Sequence, residues 1–279
     1  MKKRYYILIL FGLFSCETED VPRTGAGNLL VVQGWFTDLD TFQTVKLSLS
    51  QDFLVNEQET YVQDAGVFVS GNNGESYAYD YVGNGVYQTR DKEKASSGVN
   101  YTLTITLSDG RIITSPGERM KRAPSIDTLG YDYYERPSEE NQNIIEQVYY
   151  PILQFQDPGS YSNYYRIKAY KNDTLFAQPE NMILINDRFF NGNKPKIENE
   201  FALLEYFRND SISLELHEIS RDGYEFLRLL KSQTTSLGSA SSVTPSPINS
   251  NLQYLNSNEA VLGYWGTASI QRAGIKIIQ

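Results

Sequence analysis

The feature that most constrains the fold of this chain is a two-residue alternation of apolar and polar side chains. From position 101 to 107 every second residue is apolar, and threonines occupy the positions between them. The same alternation runs through 45–50, with lysine and serine on the polar side. Period two turns one face of a strand toward a core and the other toward solvent. The first half of the chain is therefore predicted to consist of half-buried β-strands.

Turn signals separate these strands at short intervals. Asn73-Gly74, Asn84-Gly85 and Asp109-Gly110 are residue pairs that tolerate positive φ and favour tight turns. Short strands at this spacing predict a small antiparallel β-sandwich over residues 28–116.

The second half predicts a larger β-rich domain over 117–279, either a second β-sandwich or a barrel-like sheet. It contains one short helix near 222–232. Asp222 and Glu225 fit a capping box at the start of this helix, and apolar residues follow at helical spacing. The predicted fold class is therefore mainly β, with two successive β domains and a single helix.

The N-terminal residues have the layout of a secretory signal. A basic segment at 2–4 precedes a short apolar run over 7–14, and Cys16 follows a small serine. The apolar run is too short to cross a bilayer as a helix. The arrangement resembles the lipobox of bacterial lipoproteins, which implies removal of a signal peptide 1–15 and lipidation of Cys16. Ordinary secretion is the alternative.

Residues 16–27 are predicted to form a flexible acidic tether, since they combine acidic side chains with proline and glycine. In Bacteroidota lipoproteins, acidic residues just after the lipidated cysteine resemble a signal for export to the outer leaflet. We therefore expect an outer-membrane protein held by its lipid anchor and exposed at the cell surface. A periplasmic orientation is the alternative.

Composition excludes several kinds of function. A net charge of −9 without a basic stripe argues against nucleic-acid binding. Cys16 is the only cysteine and is the predicted lipidation site, so the mature domain has no thiol, and disulfides and Cys–His dyads are excluded. His217 is the only histidine, which excludes His-based metal sites. Alternation along its strand predicts that His217 is a surface residue. We predict no catalytic residue, no cofactor and no metal site, and hence no enzyme.

Acidic and aromatic residues leave alternatives open. A glycosidase needs only two carboxylates at a set separation. Asp38-Leu39-Asp40 and Glu57-Gln58-Glu59 offer oxygen ligands for calcium, but neither has EF-hand spacing, and we favour solvated charge. Trp35 and Trp265 lie in apolar strands and are predicted to be core residues.

Tyrosines are dense between 131 and 165. They could form a stacking platform for sugars or peptides. We favour the alternative that they suit half-buried strands. The tyrosines are Tyr131, Tyr133, Tyr134, Tyr149, Tyr150, Tyr161, Tyr164 and Tyr165.

Three triplets of aspartate, serine or threonine, and an aliphatic residue resemble the O-glycosylation pattern of Bacteroidota proteins. They predict modification at Thr128, Thr174 and Ser211. Ordinary turn chemistry before a strand is the alternative.

The first domain resembles the transthyretin-like or carboxypeptidase-regulatory-like β-sandwich of exported bacterial proteins. The likeness is carried by the segments 64–69, 85–87 and 98–103 in this order. The whole chain resembles a Bacteroidota surface lipoprotein family described as domain of unknown function four-two-four-nine. The likeness is carried by Cys16 with its leader, Leu30–Trp35, Gly98–Arg111, Ile126-Asp127, Phe155–Pro158, Tyr164–Arg166 and Gly263–Gly266.

Genes of this family commonly lie beside genes for TonB-dependent transporters. The resemblance therefore implies a non-enzymatic binding or accessory protein whose partner is a β-barrel transporter. The length and composition of the loop Leu237–Asn251 make it a candidate contact. A carboxylate-dependent enzyme that degrades glycan or peptide is one alternative, and a structural or adhesive surface protein is another. The ligand itself is not indicated by the sequence.

Overall fold

The computed structural model describes residues 28–51, 58–236 and 248–278. The predicted signal peptide 1–15, Cys16, the tether 16–27, Glu57 and the greater part of the loop Leu237–Asn251 lie outside the described residues.

Regular alternation produces eight strands in the first half of the described chain. They are β1 (Leu30–Thr37), β2 (Thr44–Leu49), β3 (Gly66–Gly71), β4 (Ser76–Gly83), β5 (Val86–Thr89), β6 (Asn100–Thr106), β7 (Ile112–Thr114) and β8 (Glu118–Arg119).

The described residues of the second half form nine strands, one α-helix and three short 3-10 helices. The strands are β9 (Ile126–Pro137), β10 (Ile145–Phe155), β11 (Tyr164–Lys171), β12 (Thr174–Leu175), β13 (Ile183–Asn186), β14 (Lys196–Ile197), β15 (Ser211–Ile219), β16 (Gln253–Tyr254) and β17 (Leu262–Lys276). The helices are α1 (Arg221–Ser236) and the 3-10 turns Pro179–Asn181, Asp187–Phe189 and Asn199–Phe201.

These strands form one large mixed sheet and a smaller sheet in a sandwich-like arrangement, so the predicted mainly β fold class is confirmed. The large sheet runs β12-β11-β15-β17-β1-β2-β5-β4-β3-β6-β7-β16, with β13 beside β11 and β8 beside β6. The small sheet runs β14-β10-β9. The ends of the large sheet do not pair with each other, so the described strands form open sheets and not the barrel-like alternative.

Strand β17 joins the two halves of the molecule. Its first part runs parallel to β1, from Val31 opposite Leu262 to Thr37 opposite Ala268. Its second part runs antiparallel to β15 and ends with Lys276 opposite Ser211. The large sheet is therefore continuous across both halves.

The hydrophobic cores reflect the same connection. The first core is built mainly from strands β1 to β7, yet it also includes Leu252, Tyr254, Val261 and the fully buried Trp265. The second core lies between β10, β11, β13 and β15. The domain boundary between 116 and 117 stays a prediction, and the C-terminal end of the chain contributes to the cores on both sides of it.

Helix α1 begins at Arg221, two residues earlier than a capping box with Asp222 as N-cap requires. The Ser220 hydroxyl accepts a hydrogen bond from the Gly223 amide at 3.1 Å, which is the N-cap interaction. Asp222 therefore lies inside the first turn, and Glu225 pairs with Arg228 at 2.8 Å, so the predicted box was wrong. No helix in the described part of the chain is long and apolar enough to cross a membrane.

We expect Gly263→Ala to disrupt the β1–β17 pairing. Gly263 has φ +89°, and a Cβ there would overlap the carbonyl oxygen of Val32 on the neighbouring strand. Backbone strain and this overlap together predict a loss of at least about 2 kcal/mol in unfolding free energy, measured by urea titration. Gly130→Ala is the matched control, since its added Cβ meets nothing within 4 Å. Equal stability of the two variants would contradict the expectation.

Candidate functional site

A polar cleft of about 470 Å³ opens where the large sheet passes from β11, β15 and β17 to β1 and β2. The side chains that line it include Gln33, Trp35, Phe42, Lys46, Arg166, Lys168, Tyr170, Glu215, His217 and Arg272. Cationic, amide and aromatic groups therefore converge on one concave surface, which is the usual form of a small-ligand site.

Strand alternation places the charged floor of this cleft. On β11, Tyr165, Ile167 and Ala169 are buried in the second core, so Arg166 and Lys168 point to the opposite face. Cross-strand register then sets two rows. One row joins Lys168, Glu215 and Arg272 across three strands, and the next row joins Arg166, His217 and Ile270.

The Glu215 carboxylate is fully engaged by one side chain from each row. Its Oε2 lies 2.8 Å from Nε2 of His217, and its Oε1 accepts from Arg272 Nε at 2.9 Å and Nη2 at 2.7 Å. Burial raises the pKa of Glu215, but the His217 hydrogen bond and the nearby charges of Arg272 and Lys168 outweigh it and lower the pKa to about 2. Glu215 is therefore an ionised, fixed acceptor.

His217 is a buried residue, with 5% of its surface exposed, so the prediction that it lies on the surface was wrong. The polar face of β15 lines the cleft that it shares with residues of β1, β2 and the loop between them, an arrangement that alternation along a single strand does not reveal. Burial lowers the pKa of His217 to about 4, and the positive charges of Lys168 and Arg166 act in the same direction. The ring is therefore neutral near pH 7.

The opposite wall is held in place by Gln43 and Asp38. The buried Gln43 amide donates to the Glu93 carbonyl at 2.7 Å and accepts from the Thr37 amide at 3.0 Å, which fixes the loop after β1. Asp38 accepts from the Ile270 amide at 2.8 Å and from the Ser269 hydroxyl at 2.5 Å. The wall and the floor are therefore linked by direct hydrogen bonds.

Arg166 and Lys168 differ from the other cations of the cleft. Within the described part of the chain, neither side chain has a hydrogen-bond partner or an acidic oxygen within 4.0 Å. Burial lowers the pKa of both groups, and the charge of Glu215 opposes that shift. We did not predict these residues from the sequence. The signal was present in the alternation of Arg166, Lys168 and Tyr170 with Ile167 and Ala169.

The residues singled out from the sequence have mixed positions. Trp265 is a core residue as predicted, whereas Trp35 is only half-buried. The Trp35 ring lies with its centroid 5.5 Å from that of Tyr264, and Trp35 also lines the cleft. Tyr149 and Tyr165 are buried in the second core. The tyrosines that remain exposed are Tyr133, Tyr134 and Tyr161.

The two acidic segments weighed as calcium ligands have other partners where they are described. Asp38 is engaged by β17, and Glu59 pairs with Lys46 at 2.8 Å. Among the described residues, no group of three or more His, Asp or Glu side chains is arranged to hold a metal ion.

The three predicted glycosylation sites lie in or at the start of strands. Thr128 on β9 and Thr174 on β12 are exposed, while Ser211 at the start of β15 is half-buried. The Ser211 amide donates to the Asn172 side chain at 2.8 Å. Modification at these positions stays a prediction.

A second buried polar group lies at the far end of β15. Glu218 is 1% exposed, and its Oε1 accepts from the Asn163 amide at 2.9 Å. Glu218 Oε2 and Asn163 Oδ1 are both buried without a hydrogen-bond partner. Burial raises the pKa of Glu218 to about 8. The positive charge of Lys121, whose Nζ lies 3.7 Å from Glu218 Oε1, acts in the opposite direction. Burial therefore favours the protonated, neutral form of Glu218 near pH 7.

Glu218→Gln is expected to flatten the pH dependence of stability. Between pH 4.5 and 8 the folded protein keeps a Glu218 proton that the unfolded chain releases, so wild-type stability falls as pH rises through this window. Glutamine keeps the pairing with Asn163 without a titratable proton. Urea unfolding at pH 5 and pH 8 measures the difference. Glu225→Gln on the exposed helix surface is the control, and an unchanged slope in Glu218→Gln would contradict the expectation.

His217→Gln should change how the free energy of unfolding depends on pH below about 6.5. The folded pKa of about 4 is below the ordinary value of 6.5, so the unfolded chain takes up the proton first as pH falls. Wild-type stability is therefore lost between pH 6.5 and 4, by an amount on the order of 3 kcal/mol. Glutamine can still donate to Glu215 beside Arg272, Arg166 and Lys168. A smaller loss of unfolding free energy from pH 7 to pH 5 in the variant is the expected result, and an equal loss would exclude His217 as the cause.

Comparisons with known proteins identify a family but no activity. A family model described as "Domain of unknown function (DUF4249)" matches residues 15–273. No curated protein matches the sequence. Among solved structures, the chain is similar to a two fibronectin type-III domain segment from chicken tenascin. The identity is 10%, the match covers 69% of this chain and 90% of that one, and the TM-score is 0.21.

Proposed function

The chain belongs to the family described as Domain of unknown function (DUF4249), and on that premise we propose that it is a lipid-anchored binding protein. In this proposal the protein is a non-enzymatic lipoprotein of a Bacteroidota outer membrane and is exposed at the cell surface. It serves as an accessory to a TonB-dependent transporter and presents a ligand in the cleft between its two halves.

The observation that carries the binding role is the fixed geometry of the cleft. The floor comes from three hydrogen-bonded strands, and the wall is tied to it through Asp38 and Gln43. Groups held in place before a ligand arrives lose little freedom on binding, which favours affinity.

The same geometry supports a non-enzymatic role. Glu215 is ionised, and both of its oxygens already accept hydrogen bonds from His217 and Arg272. His217 is neutral, and its Nε2 is held by Glu215. Glu215 and His217 are only 7% and 5% exposed, and a general acid or base needs a proton-transfer atom that can reach the substrate.

The location and the partner are supported by the sequence. The leader before Cys16 and the acidic residues after it match the lipoprotein and surface-export patterns. Two or more acyl chains on one cysteine give stable anchoring. The transporter is supported by the gene context of the family, and the loop Leu237–Asn251 remains the proposed contact.

Affinity purification of the lipidated protein from gently solubilised native membranes tests the proposal. We expect a β-barrel transporter to copurify in a stoichiometric amount. Cys16→Ala should abolish membrane retention, and Ser15→Ala, which keeps a small residue before the cysteine, is the control that should retain it. Recovery of the protein alone would overturn the transporter role, and membrane retention of Cys16→Ala would overturn the anchor.

A further inference from the structure

We propose that the cleft binds its ligand through an oxyanion, a carboxylate or phosphate group held between Arg166 and Lys168. This inference rests on the proposed function, because it names the chemical class of ligand for the same cleft.

The balance of charges in the cleft favours an anion. Four cations line it, and the carboxylate among its lining residues is Glu215. Arg272 occupies one oxygen of Glu215 and His217 the other, while Lys46 pairs with Glu59 outside the floor. Two positive charges therefore remain uncompensated at the surface of a chain whose net charge is −9.

The position of Arg166 and Lys168 suits a shared oxyanion. They are alternate residues of one strand, so their Cβ atoms lie about 7 Å apart on the same face. A guanidinium presents parallel N–H donors and an ammonium adds a point charge, and both groups form strong hydrogen bonds to carboxylate or phosphate oxygens. An oxyanion placed between the two side chains can accept from both.

Arg166 and Lys168 are half-buried, and no hydrogen bond or ion pair with the described residues offsets their loss of hydration. Removing a charge from water without a partner is costly, and proteins normally pair such groups. Burial lowers the pKa of both, which is the mark of that cost. A bound anion would compensate both charges at once. We therefore infer that the desolvation of Arg166 and Lys168, which is unfavourable in the free protein, serves ligand binding.

The rest of the cleft accommodates the body of such a ligand. Phe42 is 42% exposed, and Trp35 and Tyr170 line the same surface. A volume of about 470 Å³ is within the range of small-molecule sites. The ligand is therefore an anionic small molecule or the charged end of a larger chain, with an apolar or ring-like part beside the anion.

Calorimetric titration of the full lipidated protein in detergent and low-chloride buffer tests the inference. The probes are citrate for carboxylates, inorganic pyrophosphate for phosphates and maltotriose as an uncharged control. We expect at least one anion to bind with a Kd below about 1 mM. Arg166→Met and Lys168→Met should each weaken that binding by about tenfold or more. Arg90→Met, which removes an exposed arginine paired with Asp80, should leave it unchanged.

Thermal unfolding without ligand provides the second readout. Because methionine removes an uncompensated charge from the cleft, Arg166→Met should unfold at the same temperature as the wild type or higher, so loss of binding cannot be ascribed to misfolding. Binding of citrate alone identifies a carboxylate ligand, and binding of pyrophosphate alone identifies a phosphate ligand. The inference is overturned if neither anion binds, or if both methionine variants bind as the wild type does.

Failure of this inference is distinguishable from failure of the proposed function. Copurification of a transporter with Arg166→Met, combined with no anion binding by the wild type, would leave the accessory role standing and remove the oxyanion site. Anion binding by a protein that purifies without a transporter would support the oxyanion site and remove the accessory role.

Discussion

The parallel pairing of β1 with β17 is the interaction on which the rest of this structure depends. It joins segments that are far apart in sequence, since Asp38, the residue after β1, and Ser269 on β17 are 231 residues apart. The pairing makes one sheet out of two halves and places Trp265 in the first core while Ala268 begins the contact with β15. It requires close approach of the two backbones, which explains a glycine with positive φ at Gly263 beside Val32.

The cleft is a direct result of this pairing. Its charged floor belongs to β11, β15 and β17, and its wall belongs to β1, β2 and the loop between them. Neither half alone encloses the cleft. Glu215 is central because it connects Arg272 on β17 with His217 on its own strand, and thereby leaves Arg166 and Lys168 as the free charges of the site.

Much of the fold could be predicted from the sequence because alternation is a local property. The strands around 101–107 and 212–216 and the single helix follow from spacing alone. The parallel partner of β1 could not be predicted, since no local pattern specifies a distant strand. The same limit explains His217, which alternation places on the polar face of β15 and which lies buried in the cleft that this strand shares with β1 and β2. The N-cap of α1 was predicted at Asp222 and lies at Ser220. The sequence does not distinguish them, because serine and aspartate are both good N-cap residues.

Placing the bridging strand last in the chain has a consequence for folding order. During synthesis or export from the N-terminus, β1 to β8 emerge before the strand that lies beside β1 and before the four residues that complete their core. Neither core can therefore be completed before the C-terminal segment is available. Long-range strand pairing of this kind is also slow. A shortened chain lacking β17 would not leave one intact half behind. It would leave two unfinished halves, each with an uncovered strand edge open to aggregation.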